Sequence, residues 1–274
     1  MDKVLIFGGA RTGTTTLAHC LRHTGFARNK SNMVLDEPLN KPTRKPRIYN
    51  NQGLIILTAF QEAKLLHKFI ITESPKPNHV VNSLTAGELY RVLDALYAKS
   101  SCIKHLHDKI LPVNNKILLD YATDNNIKII LQERKDTFSI ALSKLMSQQS
   151  EQWHTLTDKA RKVVDEYEYT AIPICDIQSR MEQLENSQQY SAYMKTKDID
   201  YHTVCYEDFL HPDNDIDHRI KKLKDILSYI GWEYVESDKI LQGLSPTTKQ
   251  YTEGHYNKVP NIEEIYKWRD SLTS

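Results

Sequence analysis

The chain has 274 residues, enough for one large domain or two small ones, and the absence of a Pro/Gly/Ser-rich linker favours one. Lys and Arg number 36 against 35 Asp and Glu, so a net charge of +1 offers no global field to nucleic acid or anionic lipid, and any anion site must be local. No apolar run approaches the roughly 18 residues of a membrane span. Nothing at the N-terminus reads as a charged and apolar leader. Cys20, Cys102, Cys175 and Cys205 have neither Cys-x-x-Cys nor zinc spacing. These features lead to the expectation of a cytoplasmic protein with free, buried thiols and no bound metal.

Residues 3–8 (KVLIFG) read as a buried strand, which breaks through Gly8, Gly9 and Gly13 into a helix over about 14–24. A glycine-rich turn that opens a helix is an anion cradle, because the first-turn N–H groups and the positive dipole end face the ligand. Gly8-x4-Gly13-Thr14-Thr15 fits the phosphate-loop pattern except that Thr14 stands where a nucleotide hydrolase or kinase carries its lysine. Arg11 puts a forked cation on the loop itself. Residues 27–53, polar and rich in Pro, Asn and basic side chains, read as a long surface loop leaving the first helix near the cradle. Residues 54–68 are apolar and ambiguous between helix and strand, 69–72 read as a short strand, and 85–99 as a helix.

The pattern then becomes regular: strand 101–106, helix 112–124, strand 127–132, helix 137–149. Such alternation predicts parallel βαβ units with ligands at the carboxyl ends of the strands, hence an α/β fold with a parallel sheet flanked by helices. Helical stretches follow near 155–165 and 172–197, then a strand at 201–206, a helix at 215–230, a turn-rich basic and aromatic tail from 241, and a last helix at 261–272. No repeat is present. His19 and His23 are spaced i, i+4 without the Glu of a His-Glu-x-x-His site and read as structural.

The strand ending at Gln132 runs into ERKDTFSIALSKLMSQQSEQW, where Arg134 at the strand end and Ser143 in the following helix reach one anion. Together with the first loop this resembles the paired signatures of sulfotransferases that use 3′-phosphoadenosine 5′-phosphosulfate (PAPS): a 5′-phosphosulfate loop, and an Arg…Ser pair for the 3′-phosphate. RKDTFSIALSKLMSQQSEQW also resembles the corresponding stretch of bacterial carbohydrate sulfotransferases of the trehalose 2-sulfotransferase type. VCYEDFL at 204–210 and HYNKVPN at 255–261 resemble later segments of that family.

The resemblance implies a single sulfotransferase-like domain over 1–274, with PAPS as donor, PAP as product and no metal. It implies that Arg11, Thr12, Gly13, Thr14, Thr15 and Thr16 bind the 5′-phosphosulfate, that Arg134 and Ser143 hold the 3′-phosphate, and that the C-terminal stretch around 251–258 closes over the nucleotide. Tyr206, Tyr256 and Lys258 are the further donor-binding candidates. The acceptor would be a hydroxyl of a carbohydrate or another small molecule, and its proton needs a base. Glu37, in DEPLN, is the favoured candidate, with Asp36 as its weaker neighbour. His105 and His107, in KHLHDKILP, resemble the Lys-x-His-Leu-Pro segment of cytosolic relatives with the register off by one. Arg11 is placed with the catalytic groups, because sulfuryl transfer is mostly positioning and electrostatic stabilisation. Lys104 faces either the donor or solvent, and Trp153 lines an acceptor pocket or plugs the core. Two other classes stay open: a phosphate-loop kinase or ATPase without the usual lysine, and a nucleotide-binding module without turnover.

Overall fold

The computed structural model describes residues 2–24, 34–39, 51–65, 84–152, 158–185, 188–245 and 253–272. Five parallel strands form one sheet in the order β2-β3-β1-β4-β5: β1 Val4–Gly8, β2 Val34–Asp36, β3 Cys102–Leu106, β4 Lys128–Glu133 and β5 Tyr201–Cys205. The central strands bury all five or all but their end residues, as strands covered by helices on both faces must.

Side-chain alternation divides the sheet into two faces. Val4, Ile6, Cys102, Ile130 and Val204 pack under α1 (Thr14–His23), the four-residue α9 (Tyr206–Phe209), α10 (Ile216–Tyr229) and α11 (Asp238–Leu244). Leu5, Phe7, Ile103, Ile129 and Leu131 pack under α2 (Asn51–Glu62), α3 (Ala86–Tyr97), α4 (Pro112–Asp124) and α8 (Gln188–Thr196). A separate apolar cluster joins α5 (Thr137–Ser150) to α6 (Asp158–Glu166), α7 (Ile174–Glu185) and α13 (Ile262–Ser271), and brings the short α12 (Glu253–Tyr256) alongside.

The strand order fixes where a ligand can sit. From β1 the chain passes over β3 to reach β2, whereas from β4 it moves the other way to β5, so the direction of winding reverses between the adjacent β1 and β4. A crevice at the carboxyl ends of two such strands is the usual ligand position in open parallel sheets. The loops leaving β1 and β4 carry Arg11 and Arg134.

Several expectations need correction. The stretch 27–53 is not loop throughout: Val34–Asp36 is an edge strand on β3 with Val34 and Leu35 buried, and Asn51 already opens α2. The apolar run from 54 is helix as far as Glu62, the helical stretch 172–197 is two helices, and the tail from 241 begins inside α11. Of the four cysteines, all free, only Cys20 and Cys102 are buried, while Cys175 is exposed and Cys205 half-buried. The proposed strand at 69–72, Trp153 and Tyr251 lie outside the described residues. No helix among the described residues is long and apolar enough to cross a membrane.

Candidate functional site

The first loop is built to leave donors open. Gly13, at φ 92, is the N-cap of α1 and provides no side-chain bond to its first turn, which also has no acidic residue, while Arg22 and His23 lie at the other end. Four other helix starts are closed by side chains: Thr85 and Glu88 form a capping box on α3, and Asp136, Asp215 and Ser237 cap α5, α10 and α11, whereas α4, α9 and α13 begin, like α1, without one. Arg11 has φ 70, a left-handed conformation that is costly for a side chain other than glycine and is typically retained where function requires it. Thr12 braces the turn by donating its hydroxyl to the Gly9 carbonyl at 2.8 Å.

The two signatures, more than 120 residues apart, meet here. Arg11 Nε donates to Ser143 Oγ at 2.9 Å, and Arg134 Nη1 reaches the Arg11 carbonyl at 3.4 Å. The Arg134 guanidinium lies 4.4 Å from the ring centre of Tyr206, a cation–π contact. Burial raises the pKa of Tyr206, against the charges of Arg134, Arg219 and Arg11. Burial likewise pushes the Tyr256 phenol up to about 12, against the charges of Arg134 and Arg11. Lys258 does not join them: its ammonium donates to the Asp165 carbonyl, beside the 2.8 Å contact between His255 and the Asp165 carboxylate.

Two supports of this arrangement, and one buried amide beneath it, were not singled out from the sequence. Glu207 accepts from the backbone N–H groups of Lys135 and Asp136, at 3.0 and 3.1 Å, and from the Cys205 thiol at 3.0 Å, fixing the loop that carries Arg134. Burial acts to raise the pKa of Glu207, and these bonds outweigh it, so the carboxylate stays below its ordinary range. Asp108 accepts from the Ala10 N–H at 3.0 Å and pairs with Lys144 at 2.9 Å, tying the loop to α5 next to Ser143. Gln132 lies buried beneath the loop, its Nε2 3.1 Å from where a side chain on Gly13 would begin. The signals were local: Glu207 follows Tyr206, Lys144 follows Ser143, and Asp108 follows His107.

On the other side of the loop stands Lys104, at 1 % exposure. Its ammonium meets Asp36 Oδ1 at 2.8 Å, Glu37 Oε1 at 2.9 Å and Thr15 Oγ1 at 3.0 Å. Burial works against its charge, but the two carboxylates more than reverse this and its pKa is raised. Glu37, also left-handed at φ 52, donates its N–H to the Lys104 carbonyl. Thr14 is buried in the first turn of α1, and Thr16 is partly exposed there.

The histidines are placed differently. His105 is on the sheet face opposite Lys104, fully buried, with Nε2 2.8 Å from Asn115 Oδ1 and its ring stacked on Phe7. His107 packs between Phe7 and Tyr190 and touches the rim of the loop at Gly9. Burial lowers both to a pKa of about 4, so they are neutral at pH 7. His19 and His23 meet edge to face with ring centres 4.6 Å apart, and no group of three metal-ligating side chains occurs among the described residues.

A stability effect follows from the buried pair. Below the unfolded-state pKa of about 6.5 the unfolded chain takes up protons that the folded histidines refuse until about pH 4, so folding stability should fall as pH drops through that window and be flat above it. The expected slope is roughly 2 kcal/mol per pH unit for His105 and His107 together. Denaturant unfolding at a series of pH values between 7.5 and 4.5 checks it. Equal stability at both ends would show that the two rings are not held neutral in the fold.

No family model and no curated protein matches this chain.

Proposed function

We propose that the protein is a sulfotransferase that moves a sulfuryl group from PAPS to a hydroxyl of a carbohydrate or another small molecule. The observation that carries this reading is the meeting of Arg11, Ser143 and Arg134 at the β1/β4 crevice, over an α1 N-terminus whose donors no side chain caps. A cradle of backbone N–H groups and hydroxyls with two guanidiniums suits a donor with phosphates at both its 5′ and 3′ ends. Thr14 in place of the usual lysine speaks against phosphoryl transfer from ATP.

The donor supplies an activated sulfuryl group. Its S–O bond to the phosphate breaks as the acceptor oxygen bonds to sulfur, the electron pair stays with the phosphate, and the acceptor proton passes to a carboxylate. Arg11 and the first turn of α1 stabilise the charge growing on that phosphate. Arg134, held by Glu207 and Tyr206, would grip the 3′-phosphate. Glu37 is the proton acceptor in this reading, because it stands one ammonium away from Thr15, whereas His105 is sealed on the far face of the sheet.

The test is transfer of labelled sulfate from PAPS to a panel of sugars and small alcohols in the presence of EDTA. Label on an acceptor is the expected result. Tight nucleotide binding without transfer would make the protein a binding module, and preferential turnover of ATP with magnesium would make it a kinase or ATPase.

A further inference from the structure

In a phosphate loop of this spacing the Ser or Thr two places after the second glycine ligates a divalent cation, and a carboxylate at a strand end holds the ion from the other side. Thr15 is that residue here, and Asp36, the last residue of β2, and Glu37 after it meet the same ammonium as Thr15. Between them lies the ammonium of Lys104, which donates to Thr15 Oγ1 at 3.0 Å and forms ion pairs with Asp36 Oδ1 at 2.8 Å and Glu37 Oε1 at 2.9 Å. These are lengths for an ammonium, well beyond the roughly 2.0 to 2.1 Å that magnesium demands. The lysine comes from β3, not from the loop, where Thr14 has taken the usual lysine's place.

We propose that Lys104 is a resident cation: its ammonium fills the divalent-ion seat of the loop, so that anion binding there is independent of metal and magnesium is kept out. The proposal rests on the reading of the loop as an anion cradle, but not on the reaction performed there. A purely structural lysine would only fasten the edge strand β2 to β3. A resident cation has a further property, since removing its side chain exposes two carboxylates and a hydroxyl to a metal.

The experiment is calorimetry of inorganic pyrophosphate binding to the full chain in EDTA and with manganese, together with electron paramagnetic resonance of bound Mn²⁺. The native protein should bind pyrophosphate in EDTA at least as well as with manganese, and should hold no Mn²⁺. Lys104→Ala should lose at least about tenfold in EDTA, recover most of it with manganese, and show bound Mn²⁺. Lys104→Met, which fills the space without charge, should lose affinity without recovery.

Metal-dependent binding by the native protein, or absence of pyrophosphate binding altogether, overturns the proposal, and both are read without any variant. Undiminished metal-free affinity in a folded Lys104→Ala protein overturns it equally. A native protein that binds pyrophosphate in EDTA yet transfers no sulfuryl group would refute the proposed reaction and leave this role of Lys104 standing.

Discussion

Replacing Arg134 by methionine should weaken binding of adenosine 3′,5′-bisphosphate by about 3 kcal/mol, roughly a hundredfold, while binding of 5′-AMP falls less than about tenfold. The asymmetry is the point of the experiment. Arg134 stands at the end of β4, stacked on Tyr206 and held in a loop that Glu207 fastens by two backbone bonds, so its guanidinium is preorganised and loses little entropy on binding. It reaches the first loop only through the Arg11 carbonyl, at 3.4 Å, and so acts from the edge of the cradle, not from its floor. Methionine keeps the bulk over Tyr206 and removes the charge. Titration calorimetry of the two nucleotides against both proteins gives the four affinities, and equal losses for both ligands would mean that Arg134 supports the loop without reading a 3′-phosphate.

Gly8→Ala should be the most damaging single methyl in the sheet, costing about 3 kcal/mol of folding stability. A Cβ at Gly8 would come within 2.7 Å of the Gln132 backbone carbonyl and 2.8 Å of Thr14 Cγ2. The first obstacle is backbone of the neighbouring strand, paired in register with Gly8, and cannot swing aside as a side chain can. Relief requires β1 and β4 to separate at their carboxyl ends, the gap across which Arg11 and Arg134 meet, so nucleotide affinity should fall together with stability. Gly13→Ala differs in kind: its φ of 92 strains any side chain, but the nearest obstacle at 2.7 Å is the flexible tip of Leu210. Denaturant unfolding of both variants ranks the two mechanisms. A Gly8→Ala protein as stable as the native one would show that the strand ends already have slack.

Part of this was legible in the sequence because the physics is local. Strand β1, the glycine turn and the opening of α1 are written consecutively in KVLIFGGARTGTTT, and Arg134 and Ser143 are separated only by a strand end and the helix that follows. The alternation from 101 to 149 likewise set out β3, α4, β4 and α5 nearly to the residue. Strand β2 was hidden because three residues between polar stretches have no period to detect, and its pairing comes from β3, nearly 70 residues downstream.

The same blindness covered Lys104. Its neighbours Asp36, Glu37 and Thr15 are brought together by the strand order β2-β3-β1, which no spacing along the chain encodes. Asp108 and Lys144 meet for the same reason, across the end of β3 and a helix beyond β4. His105 lies on the other face of the sheet. Its segment resembles a catalytic one, but strand alternation turns Lys104 toward α1 and therefore His105 away from it.

The central claim is that the cradle takes an adenosine nucleotide by both its phosphate ends without metal. Calorimetric comparison of adenosine 3′,5′-bisphosphate with ADP in EDTA, and with ATP in magnesium, tests it most directly. The account predicts that the bisphosphate binds at least about tenfold tighter than either, a gap of roughly 1.4 kcal/mol or more for the second grip. Equal or tighter binding of ADP or magnesium ATP would contradict it.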